Sequence, residues 1–135
     1  MKELLERKSS DLELSELKQW SIVWVDLPLQ EGSSIQGGRR PAIVISNDKA
    51  NKYSPVINII TITSRINKKR SLPTHLFLNE NAAKSVGLSK ASIIQGESLL
   101  ATMKTNVVGY IGTIVDNEMK KAVKRIIEIQ LGLLY

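Results

Sequence analysis

Arg39 and Arg40 stand in the run QGGRRP, residues 36 to 41, and are the side chains best placed for chemistry in this sequence. The glycines before them permit positive φ and the close approach of another backbone. Pro41 after them lacks an N–H and belongs at the start or edge of a strand. The two arginines are therefore expected on a rigid corner that opens a buried strand, Ala42 to Ser46. A guanidinium fixed in that way is a fork for phosphate oxygens. Downstream lies the triplet Ile62, Thr63, Ser64.

Other chemistries are poorly provided for. The chain has no cysteine and one histidine, His75, which excludes a structural zinc site, a two-histidine nuclease, disulfides and thiolate catalysis. A Mg²⁺ site needs converging carboxylates. Beyond residue 19 the acids are Asp26, Glu31, Asp48, Glu80, Glu97, Asp116, Glu118 and Glu128, and only Asp116 and Glu118 are close in sequence. Those two suit the start of a helix. No GxSxG, Walker A or Rossmann fingerprint occurs. An enzyme built on this chain is expected to work without metal or cofactor, through Arg, Thr, Ser, Asn or Gln. His75 falls in an expected strand and reads as structural.

The charge distribution agrees with a phosphate-bearing partner. The 135 residues carry a net charge of +6. Residues 1 to 19 hold four Lys/Arg and five Asp/Glu, so the remainder is the basic part. That points to nucleic acid before membrane. Arg65, Lys68, Lys69 and Arg70 place four positive charges within six residues of a loop. Alone this is a solvated turn; with Arg39 and Arg40 it makes an electropositive groove. Trp20, Trp24 and Tyr53 are candidates for base stacking. Trp24 alternates within a hydrophobic strand and is expected in the core.

The elements that must carry these residues follow from periodicity. Length and an ordinary hydrophobic content of 42% suit one domain with a real core. Ser10 and Glu13 match a capping box, and Leu14 and Leu17 fall on one face of a short amphipathic helix ending near Gln19. Residues 1 to 19 read as a docking arm and 20 to 135 as the main domain. From Ser21 the period changes to two. Strands are expected at Ile22 to Leu27, Ala42 to Ser46, Val56 to Thr63, Leu72 to Leu78, Ile93 to Leu100 and Val107 to Val115. Asn47 to Ser54 reads as turn. Asp116 then caps a closing amphipathic helix with Met119, Val123, Ile126 and Ile127 on one face. Leu131, Leu133, Leu134 and Tyr135 leave an apolar end, tucked onto the domain or part of a subunit interface. Short strands at this spacing mean a small barrel or sandwich. No apolar run approaches the roughly 18 residues of a membrane helix. The first twenty residues contain no signal-peptide core. The chain is expected to be soluble and cytoplasmic.

The stretches IVWVDL, SIQGGRRPAIVISND, SPVINIITITS and LPTHLFL, in this order, resemble the MazF/PemK family of toxin endoribonucleases. The resemblance runs from about Ser21 to Leu133. It implies a mainly β fold, a small SH3-like barrel with a C-terminal helix, to which a short N-terminal helix is added here. It also implies a homodimer that cleaves single-stranded RNA sequence-selectively without metal, and a cognate antitoxin whose acidic C-terminal segment covers the RNA groove. Position by position, the catalytic arginine is Arg40 and the catalytic threonine Thr63. The loop that folds over RNA is Ser33 to Gly38, which makes Ser34 and Gln36 RNA-binding. Arg39, Arg65, Lys68, Lys69, Arg70, Glu97 and Ser98 complete the expected RNA-binding set. The sequence departs from the family at Ile35, where glutamate is usual, at Ser98, where glutamine is, and at Leu100, where arginine is.

A mechanism without metal is available to such a pair. The RNA's 2′-OH attacks the adjacent phosphate, giving a 2′,3′-cyclic phosphate and a 5′-OH. The protein supplies in-line geometry, a charge clamp and proton movement. An arginine, with a pKa above about 12, is a clamp and a donor far more than a base. Two other readings stay open on sequence alone: a silent RNA-binding module of the same fold, and a toxin that acts by binding a protein.

Overall fold

The computed structural model describes residues 16–28, 38–66 and 71–133. Leu14, Leu134, Tyr135 and most of the expected N-terminal helix lie outside these residues. So do Ser34, Gln36, Lys68, Lys69 and Arg70.

Among the described residues six strands form one antiparallel sheet. They are β1 (Ser21–Leu27), β2 (Gly38–Val44), β3 (Val56–Thr63), β4 (His75–Leu78), β5 (Ser92–Met103) and β6 (Val107–Thr113). Their order across the sheet is β4-β5-β3-β2-β1-β6. Alternation along the strands sends side chains to two separate cores. Ile22, Ile43, Ile60, Ile62 and Ile94 go to the first. It is closed by Ala83, Val86 and Leu88 at the β4–β5 connection and by Val123 and Ile126 of the last helix. Val23, Val25, Ala42, Val44, Ile57 and Ile59 fill the second, together with Leu17 and Val107. Leu17 is thus docked as its apolar character suggested. Gln19 adds two bonds, its N–H donating to Asp48 Oδ1 at 2.7 Å and its side chain to the Ile45 carbonyl at 2.8 Å.

The helices are α1 (Asp48–Tyr53), α2 (Glu80–Ser85) and α3 (Asn117–Gln130). The last agrees with the sequence, and Asp116 caps it by accepting from the Met119 N–H at 3.0 Å. The first two correct it. Asn47, read as turn, is an N-cap that accepts from the Ala50 N–H at 2.8 Å. Asn79 does the same for α2, accepting from the Ala82 N–H at 2.8 Å. Asn serves turns and caps equally well, so composition does not separate the two. Lys104 sits beyond the C-terminal end of α1 and donates to the Asn51 and Lys52 carbonyls at 2.6 and 3.2 Å. A cation there meets orphan carbonyls and the negative end of the helix dipole.

Strand boundaries also differ from expectation, most at the starts of β4 and β2 and at the end of β5, which runs on to Met103. β4 begins at His75 because Pro73 and Thr74 form a turn, closed by the His75 N–H on the Leu72 carbonyl at 2.9 Å. β2 begins at Gly38, so Arg39, Arg40 and Pro41 lie inside a strand and not on a corner before it. Pro41 is tolerated because pairing of β2 with β3 starts only at Ala42. Up to that point β2 is paired to β1 alone and is locally an edge.

Candidate active site

The first residues of β2 are set by their neighbours on β1. Gly38 takes φ +103, a conformation that side chains disfavour. The strand then pairs Arg39 with Asp26, Arg40 with Val25 and Pro41 with Trp24. Arg39 forms a two-point ion pair with Asp26, 2.9 Å from Nε to Oδ1 and 3.3 Å from Nη2 to Oδ2. The hydrogen bond from Arg39 holds the Asp26 carboxyl below its ordinary pKa. Both partners are exposed, so the pair fixes register more than it stabilises.

Arg40 and Thr63 come from the neighbouring strands β2 and β3. Ala42 opposes Thr61 and Val44 opposes Ile59. Thr63 is buried, and its hydroxyl oxygen accepts from the Arg65 N–H at 3.1 Å. Its own O–H remains a donor. A cavity of about 570 Å³ opens over these strand ends. Arg39, Arg40, Thr63 and Arg65 all line it, as do Ser64, Lys90 and Ser92. Among the described residues that line it none is acidic. Arg39, Arg40, Thr63 and Arg65, expected on sequence to act together, thus line one cavity.

Other expected residues lie elsewhere. Trp24 is not in the core: it is 40% exposed and walls the cavity. Alternation failed there because the register places Trp24 between Pro41 and Gly109, which leave its ring uncovered. Lys90 and Tyr110 also line the cavity and were not singled out. Nothing in their local sequence marks them. Trp20 and Tyr53 do not line it; Lys120 and Lys124 lie over the Trp20 ring and Lys52 over that of Tyr53. Glu97 and Ser98 are on β5 and do not line it either.

Glu97 has a different set of partners. His75 Nε2 lies 2.7 Å from Glu97 Oε2, and the Thr74 hydroxyl donates to Oε1 at 2.8 Å. The His75 side chain is 6% exposed, in keeping with a structural role. Burial alone would raise the Glu97 pKa. Hydrogen bonds from His75, its own backbone and Thr74 outweigh that, and the carboxyl is held below its ordinary 4.5. Folding thus favours the ionised carboxylate. The stability it gives is in place above pH 4.5 and is lost as pH falls through the lowered value. Thermal melts from pH 6 to 3 should show Glu97→Gln losing less stability on acidification than the native chain. Parallel curves would show that the Glu97 cluster does not contribute.

Comparison with known proteins places this geometry. A family model described as PemK-like, MazF-like toxin of type II toxin-antitoxin system matches residues 18–130. An Endoribonuclease MazF of Staphylococcus saprophyticus is 36% identical over 117 residues, covering 87% of this chain and 92% of that protein. Two solved structures share the fold. A mycobacterial endoribonuclease in complex with its cognate antitoxin superposes with a TM-score of 0.66 at 17% identity, covering 87% of this chain and 97% of that one. A MazE–MazF structure from Deinococcus radiodurans superposes with a TM-score of 0.66 at 19% identity, covering 88% and 99%. With the match spanning nearly the whole sheet and α3, the chain belongs to the MazF/PemK family of type II toxin endoribonucleases.

Proposed function

We propose that this chain cleaves single-stranded RNA sequence-selectively and without metal, through Arg40 and Thr63. One observation supports the reading: both residues line one cavity, with Arg39, Arg65 and Lys90 among its other lining residues. The 2′-OH of the substrate gives its proton to solvent water and attacks the neighbouring phosphorus; the P–O5′ bond breaks and the 5′-oxygen leaves, taking a proton from water. The Arg40 guanidinium donates to the phosphoryl oxygens as negative charge builds and toward the leaving oxygen. The Thr63 hydroxyl donates to a phosphoryl oxygen while its own oxygen is held by Arg65. Arg39, Arg65 and Lys90 draw in the flanking phosphates.

Among the described residues no three His, Cys, Asp or Glu side chains converge. The active unit is proposed to be a cytoplasmic homodimer. Its partner is a cognate antitoxin with an acidic C-terminal segment, whose charge complements the cationic cavity. Solved relatives of the same fold that hold an antitoxin support that partner. Among the described residues no helix is long and apolar enough to cross a membrane.

End-labelled single-stranded RNA incubated in EDTA is the direct test. Cutting should persist unchanged, and the 5′ fragments should end in a 2′,3′-cyclic phosphate. Loss of cutting in EDTA that Mg²⁺ restores would show that a metal does the work assigned to Arg40.

A further inference from the structure

Trp20 stands outside the cavity, in a conformation that costs the chain energy. Its φ is 78, and among the described residues no other residue with a side chain has positive φ. A bulky residue in that region is an outlier, and such strain persists only where the surroundings fix it. Here they do. The Trp20 N–H donates to the Val44 carbonyl at 2.8 Å, and its own carbonyl accepts from the Ile114 N–H at 3.0 Å. The ring packs against the first core, and the Lys120 and Lys124 ammoniums of α3 lie 5.7 and 6.0 Å from its centre. Among the described residues neither lysine is ion-paired. Like charges one turn apart on a helix repel, so the indole gathers two cations that would otherwise spread. Beside them Lys121 and Arg125 are exposed. Of the acids on α3, Glu118 is paired with Lys121 at 3.4 Å and Glu128 comes a turn beyond Lys124.

This surface and the cavity lie on one face of the sheet. Trp20 and Ile22 both reach the first core, and alternation along β1 puts Trp24, which walls the cavity, on the same side. Four residues of extended chain separate the two tryptophans, about 13 Å. A strand of RNA held at Arg40 and running toward the start of β1 meets α3 there. We infer that Lys120 and Lys124 bind phosphates of that strand outside the cut nucleotides, with Trp20 as the positioning residue that holds the two ammoniums together. The inference rests on RNA cleavage as proposed above and adds a second contact surface, away from the cavity. Lysine suits it: a compact charge on a flexible stem takes a phosphate from many directions and reads no sequence. A strand already held at the cavity reaches this surface as an intramolecular partner, so even weak contacts add to the hold.

The probe is an RNA that the native chain cuts, carrying 2′-deoxyribose at the cleaved position, in a short form and in forms lengthened on the 5′ or the 3′ side. Binding is measured across salt concentrations. One lengthened RNA should show a log–log salt slope steeper than that of the short form by about 1.4, two phosphates at about 0.7 each. Lys120→Gln combined with Lys124→Gln should remove that increment and leave binding and cutting of the short RNA unchanged. Trp20→Gly, which accepts the backbone angle and deletes the ring, should shrink the increment, and Trp20→Phe should keep it. Lys52→Gln, which removes a charge from α1, is the control and should not change it. An increment that is absent, that survives the double lysine variant, or that Lys52→Gln lowers as much overturns the surface; continued cutting of the short RNA then leaves the cleavage reading intact. An increment untouched by Trp20→Gly overturns the positioning role of Trp20. A chain that binds and cuts no RNA overturns both readings. Binding of a polyglutamate peptide that the double lysine variant loses, with no increment from lengthened RNA, assigns the surface to an acidic protein and also overturns the inference.

Discussion

Arg40→Ala is expected to lower the rate of RNA cutting by about 10²–10³, the cost of removing one preorganised donor from a developing oxyanion. Two features make the loss large. The guanidinium is carried by a strand whose register is fixed on one side by six paired residues of β1, so it meets the substrate without reorganising. It also delivers two parallel N–H donors, which a water molecule filling the void does not reproduce. Arg40→Lys keeps the charge and loses the fork; it should fall between the two. Neither change removes a core side chain, and thermal melts should stay within a few degrees of the native chain. Thr63→Val, which keeps the shape and deletes the hydroxyl, should cost less, because it removes one neutral donor. The decisive measurement is single-turnover cutting of labelled RNA alongside binding. An Arg40→Ala protein that binds and cuts normally removes Arg40 from the mechanism. A native chain that binds RNA and never cuts it is instead the silent RNA-binding module.

What the sequence discloses here divides by the range of the interaction that decides each feature. β3, from Val56 to Thr63, is legible to the residue, because its alternation serves two buried faces at once. The cap of α3 is equally local. The proposed catalytic pair, Arg40 and Thr63, is legible as residue types and through family resemblance. That both line one cavity is not, since strand pairing is set by partners distant in the chain. Trp24 shows the limit most clearly. Its own strand argues for burial, and only the absence of bulk at Pro41 and Gly109 exposes it. The two short helices fail for the opposite reason. Each rests on a single Asn cap and a single turn or so of helix, too little for a periodic signal. Glu97, expected at RNA, is engaged by Thr74 and His75, a choice made in three dimensions.

The second large effect concerns how the cavity's floor is closed. Two backbones cross there in direct contact: the turn after α2 at Val86 and Gly87, and β6 at Ile111 and Gly112. A Cβ at Gly112 would lie 2.0 Å from the Val86 carbonyl oxygen and 2.7 Å from its carbon. A Cβ at Gly87, which also has φ +94, would lie 2.4 Å from the Ile111 oxygen. These obstacles are backbone atoms, so no rotamer change relieves them. Gly112→Ala must separate β6 from the α2 turn, and Val86 and Leu88 leave the first core with it. The loss should be at least about 4 kcal/mol, at the severe end for one substitution and a large share of the 5–15 kcal/mol that holds a domain together. A melting temperature lower by at least about 12 °C follows for a chain of this size. Gly109→Ala is the contrasting case on the same strand: its Cβ meets only the edge of the Trp24 ring, at 3.2 Å, and the ring can give way. That variant should lose about 1 kcal/mol and change Trp24 emission. If Gly112→Ala melts as the native chain does, β6 does not cross the α2 turn at this distance. The floor of the cavity, and the lining by Gly87, Leu88 and Ile111, would then be wrong.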